Sequence, residues 1–177
     1  MKSIPLTQDQ LAWVSDEDYE RIRERNWFAR WSKSTRSFYA MTNVKQANGK
    51  WETVGLHRFV MGLEKGDKLM VDHVDHDTLL NTRENLRTVT HQESNHNTRK
   101  LRNCRSKFKG VYFDKHAGAW RAAIMENHKR RYLGYFKNDV DAAKAYDGAC
   151  KILHGEYGVL NFKDCPAEMQ PVRSSSV

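Results

Sequence analysis

Hydrophobic and polar positions change period several times along the chain, and each change marks an element. The segment SDEDYERIRERNWF (15–28) predicts a helix. Ser15 can cap it, and Asp16, Glu17 and Asp18 crowd its first turn, where the helix dipole favours negative charge. SFYAMTNV and KWETVGLHRFV then carry aromatic and β-branched residues on either side of QANGK, whose Asn-Gly step predicts a hairpin. In LHRFVMGL the apolar positions 56, 59, 60 and 63 fit one helix face. GDKLMVDHVD predicts a short strand, a polar loop follows, and TVTHQESNHNTRK predicts a further helix.

The second half is more regular. KGVYFD, GAWRAAIME and RRYLGYF predict three short strands separated by the turns KHAG and ENHK. NDVDAAKAYDGACKILHG predicts a helix with Asn138 as its N-cap, an apolar stripe at 142, 145, 146, 149, 152 and 153, and Gly155 at its stop. Strand alternation divides the faces. Val111, Phe113, Trp120, Ala122, Ile124 and Leu133 are expected against the helix; Tyr112, Arg121, Ala123, Met125, Arg130 and Tyr132 are expected outward. The resulting organisation is a helix-plus-hairpin leader (1–55), a second segment (56–98), a basic linker without periodicity (99–105), the strand–helix unit (106–162) and a tail (163–177) expected to be disordered.

Charge adds a partner to this picture. Residues 1–98 hold 14 Lys+Arg and 14 Asp+Glu, so the net +8 of the 177-residue chain arises beyond residue 98. A basic segment beside a neutral one points to a polyanion, and open-face arginines and tyrosines suit a β-ribbon reader of double-stranded DNA. The plainer alternative is a solvated basic face. Composition excludes other classes. No run of eighteen apolar residues offers a membrane span, and MKSIPLTQDQ lacks the apolar core of a signal peptide, so a cytoplasmic location is expected. The three cysteines, Cys104, Cys150 and Cys165, are scattered, which argues against a disulfide framework and a thiolate zinc site. At least one is expected in a core.

The candidate chemistry lies in VDHVDHDTLLNTRENLRTVTHQESNHN (71–97). Phosphodiester hydrolysis needs an activated water and charge relief, which a histidine base and a divalent cation on hard oxygen ligands supply. Asp72 beside His73 offers that pairing, and ESNHN offers a second oxygen ligand. Two other readings stand beside it: a zinc site drawing on His73, His76, His91 and His96, and a solvated polar loop. His76, His91 and His96 are also candidates for phosphate contact, and His57 for a structural role. Arg58, whose guanidinium can fork onto oxygens, is a phosphate-clamp candidate.

LHRFVMG, VDHVD, NTRENLRTVT and HQESNHN together resemble the HNH nuclease family (ββα-metal fold) over residues 56–98, and IPLTQ…WVSDEDYE…W resembles the leader of its phage-type members. The resemblance implies a homing or nicking endonuclease in which His73 is the general base, Asp72 a metal ligand, and Asn85 the residue that fixes the loop and orients His73. It implies a divalent cation, Mg²⁺ with Mn²⁺ as the alternative, and, for a phage-encoded chain, the cytoplasm of a bacterial host. The chain departs from the family at Ser94, where a metal-binding asparagine is usual; Ser94 and its neighbour Asn95 are both candidates for that ligand.

The segment from SKFKGVYFD to HGEYGVLNF (106–162) resembles the apetala-two/ethylene-response-factor DNA-binding domain through GV, WRA, LGYF, AAKAYD and HGE…LNF. This implies a three-stranded antiparallel sheet packed on one helix, with DNA contacts from Lys109, Tyr112, Arg121, Arg130 and Tyr132. Tyr112, Asp114, Ala123 and Met125 differ from the plant pattern, and Tyr132 stands where a tryptophan is usual, so a different target sequence is expected. The expected fold class is α+β, a ββα-metal domain followed by that sheet-and-helix domain. The expected function is metal-dependent DNA cleavage, and the alternative is a DNA-binding regulator with an inactive nuclease half.

Overall fold

A computed structural model describes residues 1–98 and 106–162; the predicted linker and tail, with Cys104 and Cys165, lie outside the described residues. The chain is α+β and divides between Ser94 and Asn95 into two compact units.

In the first unit, β1 (Lys2–Pro5) and β2 (Leu11–Val14) form an antiparallel pair, followed by α1 (Asp16–Arg23). The antiparallel meander β3 (Phe28–Ser32), β4 (Ser37–Lys45) and β5 (Trp51–Gly55) leads into α2 (Leu56–Met61). Then come β6 (Met70–His73), β7 (Leu80–Asn81) and β8 (Leu86–Val89), followed by α3 (His91–His96), within which the chain passes from the first unit to the second. The QANGK hairpin forms with Lys45 opposite Trp51, and Gly49 adopts φ 79°, which a glycine reaches without strain.

Two boundaries differ from the pattern-based expectation. Helix α1 stops at Arg23, short of the expected Phe28, because buried Trp27 turns inward and its Nε1–H donates to Ile22 O at 2.9 Å. The expected helix from Thr88 begins at His91, because Leu86–Val89 pairs with β6 and buries Leu86 and Val89. Thr90 then opens α3 through a capping box. Its N–H donates to Glu93 Oε2 (2.7 Å), and its Oγ1 accepts from Glu93 N–H (3.3 Å).

Residue 55 is not a boundary in the core. Ile4, Val14, Ile22 and Trp27 from the leader pack in one cluster with Leu56, Val60 and Leu86. Strand β7 joins β2 in parallel, with Trp13 opposite Leu80 and Val14 opposite Asn81. Buried Asp18 ties α1 to the loop before β8, accepting from Arg83 Nε at 2.8 Å and from Arg21 Nη2 at 2.6 Å. Burial opposes its charge, but these two guanidiniums outweigh it and hold the carboxyl below its ordinary range.

In the second unit, β9 (Val111–Asp114), β10 (Ala119–Glu126) and β11 (Lys129–Phe136) form an antiparallel sheet in the order β11-β10-β9. Helix α4 (Asp139–Leu153) packs on one face, and Asn138 caps it by accepting from Asp141 N–H at 2.8 Å. The buried side of α4 carries Ala142, Ala143, Tyr146, Asp147 and Cys150. Ile152, expected in the stripe, is 75% exposed, because the buried arc runs through 143, 147 and 150 and leaves 152 on the outer side. Gly110 has φ 74°, and any Cβ there would overlap the Tyr146 ring, so this turn admits only glycine.

Candidate active site and nucleic-acid face

In the first unit, β6 carries Asp72 and His73 side by side. His73 is 6% exposed. Its ring meets His57 and Tyr39 edge-on, with centroids 5.4 Å and 6.3 Å away. Gly55, at the end of β5, makes room for this cluster, since a Cβ there would press on the His57 imidazole. Burial drives the His57 ring down to about 3, with the His73 and Arg58 charges adding to it. Burial also lowers His73, opposed by its hydrogen bond to Asn81 and by the carboxylates of Asp72, Asp75 and Asp77. Both rings are therefore neutral at neutral pH.

The asparagines divide the work. Asn85 Oδ1 accepts from Asp75 N–H (3.0 Å), its Nδ2 donates to Leu80 O (2.8 Å), and its carbonyl accepts from Val74 N–H (2.9 Å). It fixes the loop between β6 and β8. The side chain that reaches His73 is instead Asn81, with Oδ1 3.3 Å from Nε2. Asn81 opens NTRENLR, whose local pattern assigns it no role. Its burial in β7, against a strand of the leader, is a tertiary property that local pattern does not carry.

Asp72 lies in an ion pair with Arg87, whose Nη2 is 3.0 Å away. Ser94 is partly buried in α3, its N–H bonded to Thr90 O at 3.0 Å. Asn95 falls in the second unit and is exposed. Among the described residues no group of three His, Cys, Asp or Glu is placed to hold a metal ion, so the four-histidine zinc arrangement is not assembled there. The donor set that the resemblance implies is one carboxylate with a hydroxyl or an amide oxygen. That chemistry fits Mg²⁺, which takes hard oxygen ligands, often only one or two carboxylates, and keeps several waters. Arg58 donates to the carbonyls of Glu64 and Leu69, so its guanidinium braces the loop after α2.

In the second unit, the sheet face away from α4 carries a cross-strand row. Arg121 is opposite Tyr112 on one side and Tyr135 on the other. The Arg121 guanidinium lies 4.8 Å from the Tyr132 ring centroid, and that of Arg130 lies 5.6 Å from the Tyr112 centroid. Tyr112, Met125, Arg130, Tyr132 and Tyr135 are exposed. Arg121 Nε is a buried donor with no hydrogen-bond partner among the described residues. Asp114 closes the end of the row, accepting from Tyr135 Oη–H at 3.2 Å. Backbone N–H groups of Ala117 and His116, with Tyr135 and Arg121, hold its carboxyl below the ordinary range.

Two expectations shift here, and the register adds a further residue to the exposed face. Tyr135 shares the exposed face although strict alternation from Tyr132 would turn it away, because a bulge places Ala122 opposite Gly134 and Ala123 opposite Tyr132, leaving Leu133 as the extra residue. Ala123, expected outward, is buried, since its methyl is screened by the larger Tyr132 opposite and Arg121 two residues back. Lys109 is turned inward, where its Nζ donates to His96 O at 2.8 Å and burial lowers its pKa. Further inside the second unit, the His96 ring stacks on buried His154 with centroids 3.7 Å apart.

No family model matches the chain. The AP2/ERF and B3 domain-containing transcription factor RAV1 of Arabidopsis thaliana is 44% identical over 59 residues, which is 33% of this chain and 17% of that protein. The AP2/ERF and B3 domain-containing transcription repressor TEM1 of the same plant is 43% identical over 58 residues, 33% of this chain and 16% of that protein. The chain therefore spans less than a fifth of the length of these relatives. The similarity supports an apetala-two-like domain in this chain. Among the described residues no helix is long and apolar enough to cross a membrane.

Proposed function

We propose that the chain is a double-stranded-DNA-binding regulator that meets DNA through the open face of its second unit. The observation that carries this is the Arg121 row, in which an arginine with an orphaned buried Nε lies among exposed tyrosines with Arg130 beside it. Guanidiniums held over aromatic rings are pre-oriented donors for phosphate oxygens and base edges. The relatives named as a transcription factor and a transcription repressor support the same reading. Retardation of duplex DNA by the full chain, weakening steeply as salt rises, is the expected result. A chain that leaves duplex DNA unshifted at low salt would refute it.

A second reading, a metal-dependent endonuclease, is favoured by one specific arrangement. Asp72 and His73 are adjacent on β6, His73 is neutral and held by Asn81, and β6 pairs antiparallel with β8, which leads into α3, an order in keeping with the HNH resemblance. In this reading His73 takes a proton from water, the water oxygen bonds to phosphorus, and the bond from phosphorus to the departing sugar oxygen breaks. Asp72, with Ser94 of the same unit, would hold Mg²⁺ or Mn²⁺, which supplies charge neutralisation at the phosphate when bound. Supercoiled plasmid incubated with each cation separates the readings. Nicked or linear DNA from the wild type and none from His73→Ala supports the enzyme; retarded, intact plasmid supports the regulator.

A further inference from the structure

We propose that Asn81 is a positioning residue that fixes His73 in the Nε2–H tautomer and so leaves Nδ1 as its proton-accepting atom. The far end of the Asn81 amide sets its orientation. Its Nδ2 lies 3.5 Å from Thr78 O, a carbonyl that can only accept, so this end of the amide is the NH₂. The other end, facing His73 Nε2 at 3.3 Å, is therefore the oxygen, which can only accept as well. A neutral imidazole carries one N–H, and here the partner places it on Nε2.

The amide is itself immobilised. Asn81 is 1% exposed and lies in β7, opposite Val14 of β2, while Trp13 N–H donates to Leu79 O at 2.8 Å. The leader thus holds the residue that holds the histidine. His57 and Tyr39, both edge-on to the His73 ring, oppose the 180° flip that would exchange its two nitrogens. The tautomer stands on this geometry alone. Its catalytic consequence rests on the endonuclease reading.

The test is long-range proton–nitrogen correlation on the ¹⁵N-histidine-labelled full chain at a pH where the ring is neutral. Wild-type His73 is expected to show a protonated Nε2 and an unprotonated Nδ1. Asn81→Leu, which keeps the approximate volume but removes the acceptor, is expected to give a mixture of tautomers. Asn81→Asp, which keeps an acceptor oxygen, is expected to restore the single form. A protonated Nδ1 in the wild type overturns the proposal, as does an unchanged single tautomer in folded Asn81→Leu. Should Asn81→Leu fail to fold, the wild-type spectrum alone still decides. On plasmid, Asn81→Leu is expected to lose on the order of 10²-fold in turnover with KM unchanged, the low end of what general-base catalysis contributes. Absence of cleavage by the wild type would remove the endonuclease reading while leaving the tautomer result standing.

Discussion

The Asp147 carboxylate grips Asn161 at two points, accepting from its backbone N–H at 2.8 Å and from its Nδ2 at 3.0 Å. Asn161 in turn accepts from Lys109 N–H at 2.6 Å and donates to Lys109 O at 3.1 Å, so a buried residue of α4 ties the segment before β9 to the segment after α4. Asp147→Ala would remove the acceptor from part-buried donors on Asn161 and Phe162, and a donor left unsatisfied costs about 1–3 kcal/mol. The expected outcome is a loss of about 1–3 kcal/mol in denaturant unfolding of the second unit. Asp147→Asn, which keeps one acceptor, should lose less.

On the DNA-binding reading, Arg121→Ala and Arg130→Ala should each lower the steepness of log K against log salt by about 1, the amount expected when one phosphate contact is removed. Lys109→Met is the contrasting case. Its ammonium is committed to His96 O inside the unit, so it should leave the salt slope unchanged while lowering stability. Mobility shifts at a series of salt concentrations read both. A reduced slope for Lys109→Met would show that its side chain reaches DNA.

What was legible in the sequence was whatever local chemistry decides. Asn-Gly at 48–49 made its hairpin, Asn138 capped α4, and the three strands of the second unit formed where alternation put them. What was not legible depended on distant partners. The short strands β1, β2 and β7 have little internal pattern, and β7 exists because Leu80 and Asn81 find Trp13 and Val14 across more than half of the first unit. The candidate site shows the same division. Asp72 and His73 were visible as a dipeptide, whereas the contacts of Asn81, Tyr39 and His57 with His73 appear only once the meander and α2 are folded against β6. The Leu133 bulge likewise moved Tyr135 to the exposed face, an inversion that alternation cannot anticipate.

Ser94 offers a direct test of the endonuclease reading. A serine hydroxyl is a poorer neutral oxygen ligand than an amide carbonyl, and Arg87 already pairs with the Asp72 carboxylate, so the donor set is weak. Ser94→Asn should raise Mg²⁺-dependent nicking of plasmid and lower the cation concentration needed for half-maximal rate. The same rate and the same cation dependence as the wild type would place the second ligand elsewhere and return weight to the regulator.

Acid should destabilise the first unit before it destabilises the second. His57 is held near 3 and His73 is also lowered, so the unfolded chain, with histidines near their ordinary value of 6.5, binds protons that the folded unit refuses. For a lowered folded value, the stability contribution is complete above pH 6.5 and is lost as pH falls from there toward 3. Each proton of difference adds a slope of about 1.4 kcal/mol per pH unit. Asp18, also lowered, extends the loss below pH 3.8, with the same sign. Urea midpoints measured between pH 7.5 and 4.5, with Trp27 fluorescence reporting on the first unit in a chain whose other tryptophans are replaced by phenylalanine, give the slope. His57→Gln should flatten the leg that begins at pH 6.5, because a neutral amide has no proton to refuse; a slope equal to that of the parent chain would show that His57 is not the group responsible.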